Sequence, residues 1–148
     1  MAPVGLSNAT ANFDLGFAAA SGTEYILVSN DGTDAVTGTF AGMPEGHIFE
    51  LTNSADNKPY VFQITYAGGT DNNDVVLTSF GAVETEVALD GSGNLVVTDI
   101  NGGTSADSLT FAISGSTLTI SDPSLAMTTN GAGAANLNLN TPRSVQVD

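Results

Sequence analysis

The chain has 148 residues, no cysteine, no tryptophan and a formal net charge of −14, with Lys58 and Arg143 as its only basic side chains. That composition excludes disulfide, thiol and cysteine–zinc chemistry. It also makes nucleic acid and anionic membranes poor partners, because both are held by clustered Lys and Arg.

Charged residues make up 12% of the chain, against about 25% in ordinary soluble domains. Thr, Ser, Asn and Gly fill the difference, a balance typical of extended extracellular β-proteins with polar, lightly charged surfaces. No run of about 18 apolar residues is present, so no transmembrane helix and no membrane insertion are expected. The opening MAPVGL has neither a basic region nor a long apolar stretch, so no signal peptide is visible. The reading is an exported protein without its leader, or an internal piece of one. The length suggests one or two small domains.

Apolar period two dominates in chain order. Residues 8–20 are poorly periodic and hold at most a helical turn. Tyr25-Ile26-Leu27-Val28 is a short apolar strand that ends at the turn signal Asn30-Asp31-Gly32. Residues 36–40 alternate and predict a strand. Met43-Pro44-Glu45-Gly46 then forms a turn, because proline presets φ and glycine permits its positive range. Residues 47–52 alternate again. Residues 53–59 are a polar loop, and residues 60–66 carry β-branched and aromatic side chains throughout, which predicts a strand. The next strand spans 74–80.

Beyond it, residues 84–89 and 94–100 flank Asp90-Gly91-Ser92-Gly93, and residues 108–113 and 117–120 flank Ser114-Gly115-Ser116. Both patterns read as hairpins. Asp122-Pro123 closes the last of these strands, since proline cannot donate to a ladder. Residues 123–127 could hold a helical turn, and 128–136 read as a small polar loop. Leu137, Leu139, Val145 and Val147 alternate as one or two final strands. A change of pattern near residues 79–83 divides the chain into two β modules, 1–80 and 81–148, which pack separately or as one domain.

The expected fold is therefore all-β, short-stranded and mainly antiparallel, a β-sandwich-like module or pair of modules. The alternative is a capping segment of a right-handed parallel β-helix, whose coils also use short strands and Gly/Asn turns. The expected core holds Tyr25, Leu27, Phe40, Phe62, Ile64, Val76, Leu95, Val97, Phe111, Ile113, Leu118 and Ile120.

One segment resembles a known family. Asn30-Asp31-Gly32, Gly38-Thr39-Phe40, Pro44-Glu45-Gly46, Ile64-Thr65-Tyr66 and Asp74-Val75-Val76-Leu77-Thr78 follow one another in the order of the terminal portion of the autotransporter-associated β-strand repeat of large bacterial surface and passenger proteins. Met43 stands where that family has leucine. The resemblance covers about a third of the chain. Residues 87–123 look, more weakly, like a module that often follows this repeat. The resemblance implies export, a cell-surface or extracellular location, repetition in long stalks with β-solenoid neighbours, and no catalysis.

The loop Gly68-Gly69-Thr70-Asp71-Asn72-Asn73-Asp74 poses the sharpest chemical question. It approaches the calcium β-roll repeat, whose ions are held by glycine-rich turns with an aspartate. Asp71, Asn72 and Asp74 are the candidate ligands, and calcium the one candidate cofactor. However, Asp71 replaces a glycine, an extra residue precedes Asp74, and stacked copies are missing. A tight turn is therefore favoured over a site. Asp90-Gly91-Ser92-Gly93-Asn94 lacks the late glutamate of an EF-hand and reads as a turn. Asp99, Asn101 and Asp107 cluster around Gly102-Gly103 with the same ambiguity.

His47 has no partner pattern for acid–base work. Glu45, Glu50, Glu84 and Glu86 could form a glycosidase-like carboxylate pair, but without tryptophan a sugar-binding cleft is poorly supplied, leaving Tyr25, Tyr60 and Tyr66 to stack on a glycan. Lys58 lies in loop composition, unsuited to a buried isopeptide bond.

The functional expectation is a non-enzymatic structural or adhesive module of a bacterial cell-surface or secreted protein. Its partners would be neighbouring copies or flanking β modules of the same protein. The alternative is a calcium- or glycan-binding extracellular module. Self-association is expected through strand edges, end to end or by exchange of a terminal segment, with residues 4–17 and 136–148 as the weak points and 144–148 as the donor segment that a deletion would test.

Overall fold

The structure is a computed structural model and describes residues 4–30, 33–101, 105–130 and 137–147. Among these there is no helix, and ten strands follow in order: β1 (Glu24–Val28), β2 (Ile48–Thr52), β3 (Pro59–Gly68), β4 (Asp74–Leu89), β5 (Leu95–Asp99), β6 (Thr110–Ser114), β7 (Thr117–Ser121), β8 (Ala126–Asn130), β9 (Leu137–Thr141) and β10 (Ser144–Val147). Among the described strands, all pairings are antiparallel except the parallel one between β4 and β8. The coil-on-coil parallel ladder that a β-helix cap requires is not the pattern here, and the all-β, mainly antiparallel expectation holds.

β4 organises the molecule. It is 16 residues long. Its first half lies between β1 and β3, with β2 beyond β3, while its second half lies between β5 and β8. At the midpoint the partner register slips: Phe62 pairs with Ser79 and Val61 with Gly81, so Phe80 is an extra residue. Gly81 takes φ +87°, and a Cβ there would meet the Ser21 Cβ at 3.3 Å. Glycine is therefore the residue this bulge needs.

One extra residue inverts the alternation. Leu77 and Ala82 join the first core, whereas Phe80, Val83 and Val87 join cores on the opposite face. A single strand thus serves two sides of the molecule.

The first core gathers Tyr60, Phe62, Ile64 and Tyr66 of β3 with Val75 and Leu77 of β4, under a lid formed by the irregular segment that carries Leu15 and Ala19. That segment is pinned by backbone bonds rather than by a ladder: Ser54 N–H donates to the Leu15 carbonyl (2.8 Å), Leu6 N–H to Thr37 (2.9 Å) and Ala41 N–H to Ala9 (2.9 Å). The second core is a small sandwich. Val87, Leu89, Leu95, Val97 and Met127 from β4, β5 and β8 face Leu118, Ile120, Leu139, Val145 and Val147 from the sheet ordered β6-β7-β10-β9.

Between the two lies a third cluster of Val61, Val83 and Ala126, flanked by Ile48 and Phe80. Arg143 closes this junction. Its guanidinium sits 5.5 Å from the Phe80 ring centre, and donates to the Pro123 carbonyl (3.3 Å) and the Ser21 hydroxyl (3.0 Å).

The change of pattern at residues 79–83 falls inside β4, which extends through both expected modules, 1–80 and 81–148. Other expectations change. Residues 36–40 form no strand. They make isolated bridges, Gly5 to Thr37 and Phe40 to Met43, and their alternation serves packing of Val36 and Phe40 against the first core. Residues 126–130, expected as a helical turn and the start of a polar loop, form β8, because parallel pairing with β4 buries Ala126 and Met127.

In the expected core, Phe62, Ile64, Val76 and Ile120 are buried, but Leu27, Phe111 and Ile113 are exposed at 37%, 54% and 77%. The final segment is not a free donor: β10 lies inside its sheet, paired with β7 on one side and β9 on the other. Asp31 and Gly32 of the first turn, Gly102 and Gly103, and residues 131–136 of the expected loop lie outside the described residues.

Candidate functional site

The sequence candidates for ligand binding resolve mostly into bracing. At the β3–β4 turn, the Asp74 carboxylate accepts the Asn30 N–H (2.8 Å), tying the end of β1 to this loop. The same carboxylate fills the space beside Gly69, whose φ is +75° and where a Cβ would collide with it. Asn72 also adopts a positive φ of 56°, a conformation that asparagine tolerates in turns. Asp71 is exposed at the tip.

Calcium takes six to eight oxygens, several from carboxylates. Asp71, Asn72 and Asp74 fall short of that set, with Asp74 already turned to Asn30. Among the described residues no group of three or more His, Asp or Glu side chains is placed to hold a metal ion.

The Asp90 loop is a self-contained turn. Oδ1 accepts the N–H groups of Ser92 and Asn94 (both 2.8 Å), and Oδ2 accepts the Asn94 amide (2.9 Å). The Asn94 amide and these backbone donors hold the carboxyl below its ordinary range. Glu84 is likewise engaged, accepting from the Asn101 amide (2.6 Å) and the Ser105 hydroxyl (2.9 Å). Glu50 accepts from Thr128, Glu86 from Asn130 (2.9 Å) and Glu45 from the Tyr66 N–H (2.7 Å).

Two of the three tyrosines are structural. Tyr66 is buried; its hydroxyl donates to the Met43 carbonyl (2.7 Å) and accepts the Phe40 N–H (3.0 Å), which closes the Met43–Gly46 turn onto β3. Tyr60 is buried and donates to Asp56 (2.8 Å). Burial raises both phenols, and the Asp56 charge adds to the rise at Tyr60. Asp56 also accepts the Lys58 N–H (2.9 Å), the largest cause of its lowered carboxyl. Lys58 is therefore a loop residue, as its neighbours in sequence imply. His47 stacks on Phe49 with ring centres 6.0 Å apart and planes 11° from parallel.

Asp122, which the sequence marks only as a strand terminator, accepts as many hydrogen bonds as Asp90 but in a buried setting. It is 2% exposed. One oxygen accepts from Ser124 (2.7 Å) and Leu125 (2.8 Å), the other from Ser108 (2.7 Å). Burial pushes its carboxyl up, but these three donors and the charge of Arg143 outweigh it and leave it lowered. Its own N–H donates to the Arg143 carbonyl (3.1 Å). The turns leading into β6, β8 and β10 thus meet at one residue.

Two surface features are not used in bracing. A cleft of about 320 Å³ opens between the lid and the first sheet, lined by Asn12, Asp14 and the apolar side chains Phe13, Leu15, Phe17, Tyr25, Leu27, Leu51, Phe62 and Leu77. Tyr25 is wedged between Phe17 (5.5 Å) and Phe62 (6.3 Å). It is the one tyrosine of the expected glycan set that reaches an open surface.

The other feature is β6, which pairs only with β7 among the described residues and carries Phe111 and Ile113 into solvent. The sequence placed both on the core face. They do share that face with Ile120 and Leu118, their cross-strand partners, but the opposing sheet does not cover them.

Comparison with known proteins finds no match to any family model, curated protein or solved structure.

Proposed function

We propose that this chain is a non-enzymatic structural or adhesive module of a bacterial cell-surface or secreted protein, working beside neighbouring copies or flanking β modules. The observation that carries the reading is β4. One strand contributes side chains to both main cores, and the junction around it is closed by Arg143. Ladder hydrogen bonds that run without a hinge from one core to the next suit a module that bears load within a longer stalk. The asparagine- and aspartate-rich loops contribute bracing in this reading, and the resemblance of residues 25–78 to the autotransporter-associated repeat supplies the surface location.

The test is display. Bacteria carrying the chain on an outer-surface anchor are expected to clump or attach to a solid support more than cells carrying the anchor alone. Displayed chains that leave clumping and attachment unchanged would contradict the proposal.

A second reading, a glycan-binding module, is favoured by the cleft. Its volume sits at the lower end of small-ligand sites, about 300 to 1,000 Å³, and its aromatic side chains suit the apolar face of a sugar. A glycan array separates the readings. Binding that is lost in Tyr25→Ala supports the second.

A further inference from the structure

We infer that the open edge of β6 is a docking strand for a second copy of this chain, joined antiparallel about a two-fold axis at Ala112. This rests on the structural reading above and names the surface through which copies meet.

The two-residue Gly115-Ser116 turn fixes Ser114 opposite Thr117 and Phe111 opposite Ile120. Counted from that turn, residues 110, 112 and 114 direct their backbone N–H and C=O groups to β7, while Phe111 and Ile113 direct theirs to the open side. Among the described residues, the same two carry the most exposed aromatic ring and the most exposed large aliphatic side chain, at 54% and 77%. Backbone and side chains therefore present one continuous adhesive edge.

Charge selects the edge, and the self-complementary order of Phe111 and Ile113 selects a second copy as the occupant. A second copy of a chain carrying −14 is repelled almost everywhere. Exposed acids lie on three other rims, Glu24 on β1, Glu50 on β2 and Asp99 on β5; β8 carries none but lies against β9 and β10, and its Met127 N–H is held by the Pro142 carbonyl. Residues 108–121, which contain the whole β6–β7 hairpin, carry none. β9 bounds the same sheet on its far side but lies against β8. β6 also lacks the lysine, proline or bulge that usually defends an edge.

Antiparallel pairing centred on Ala112 sets Phe111 opposite Ile113 of the second copy, and Ile113 opposite its Phe111. Both pairs exchange their outward N–H···O bonds. Each aromatic ring then meets a β-branched side chain, a favourable cross-strand pair. The result is one sheet continuous across the two copies with its apolar faces on the same side. A five-residue edge buries less than the roughly 1,200 Å² of stable interfaces, so the pair is weak alone and gains strength when copies are tethered side by side.

The absence of native cysteine permits a direct test. In this register Ala112 faces itself across the axis with Cα atoms about 4.5 Å apart, inside the disulfide window. Thr110, on the same face of the same strand, lies about 14 Å from its mate. Purified Ala112→Cys and Thr110→Cys proteins, at about 0.5 mM in moderate salt where their charges are screened, are oxidised mildly and resolved on a non-reducing gel. The expected result is covalent dimer for Ala112→Cys at about tenfold or more the yield of Thr110→Cys. Adding Ile113→Lys should abolish that dimer.

Equal yields from the two cysteines, or none from Ala112→Cys, overturn the inference. If that happens while displayed cells still clump, only this edge and register fail. If clumping is absent too, the structural reading fails with it.

Discussion

Replacing Asp122 with asparagine turns one acceptor oxygen into a donor in a buried joint. The carboxylate now accepts three backbone N–H groups from Ser108, Ser124 and Leu125, each at 2.7–2.8 Å, at a site 2% exposed. Asparagine retains one acceptor oxygen, which can hold Ser124 and Leu125, but it turns an NH₂ toward the Ser108 N–H. Donor then faces donor. Hydrogen bonds to a charged group contribute about 1.5–3 kcal/mol, and leaving a buried donor unpaired costs about 1–3 kcal/mol. The two describe overlapping losses, so Asp122→Asn is expected to destabilise the fold by about 3 kcal/mol at pH 7, or roughly 6–12 °C in melting temperature at this chain length.

The substitution also changes the acid limb. A carboxyl lowered in the folded state contributes stability that is complete above its unfolded value near 3.9 and is lost as pH falls through the folded value. Wild type should therefore hold its stability from pH 7 to about 5 and lose it progressively below about 4. The variant should lose less over that lower window. Urea unfolding followed by far-ultraviolet circular dichroism at several pH values measures both effects. A neutral-pH change under about 1 kcal/mol together with an unchanged acid slope would refute the role given to Asp122.

Other expectations follow from the same contacts. Gly81→Ala places a side chain at φ +87° and against Ser21, and should cost about 1–3 kcal/mol, measurable by urea titration. Cross-strand neighbours on one face should differ sharply. Ile120→Ala, at 0% exposure, should cost about 2–5 kcal/mol, and Ile113→Ala, at 77%, less than about 0.5 kcal/mol. Arg143→Ala removes the contacts to Phe80, Ser21 and Pro123, and should raise hydrogen exchange at the ends of β1 and β8 before it affects the rest of the fold. Raising ionic strength from about 0.01 to 0.15 M shortens the screening length from roughly 30 to 8 Å. With a net charge of −14, this should raise the melting temperature; no change would mean that the acids are already well dispersed.

Local chemistry made much of this fold legible. β3 and the β6–β7 and β4–β5 hairpins were readable because β-branched alternation and the Asp90–Gly93 and Gly115 turns specify them within a few residues. What remained hidden depends on distant partners. The glycine at 81 inside an alternating run read as a boundary, but it marks a bulge, and only the register against β3 reveals that the strand continues.

β8 is built from Ala, Met, Thr and Asn and has weak strand propensity of its own. Its parallel place beside β4 gives it form. At residues 36–40 the alternation is real, yet it reflects packing onto the first core beneath the Tyr66 hydroxyl rather than a ladder. The pattern in β6 correctly gave the face of Phe111 and Ile113, but a face is not burial, and the reach of the opposing sheet is not written in five residues. Asp122 was read as the stop before a proline; its three donors come together only when the second sandwich forms.

The claim that copies of this chain meet along β6 is tested most directly by amide hydrogen exchange, residue by residue, as protein concentration is raised in moderate salt. In the monomer, the amides of Phe111 and Ile113 face solvent and those of 110, 112 and 114 are bonded to β7. Pairing at the open edge should slow exchange at Phe111 and Ile113 with rising concentration and leave the other three unchanged. Exchange at Phe111 and Ile113 that stays fast at every concentration would contradict it.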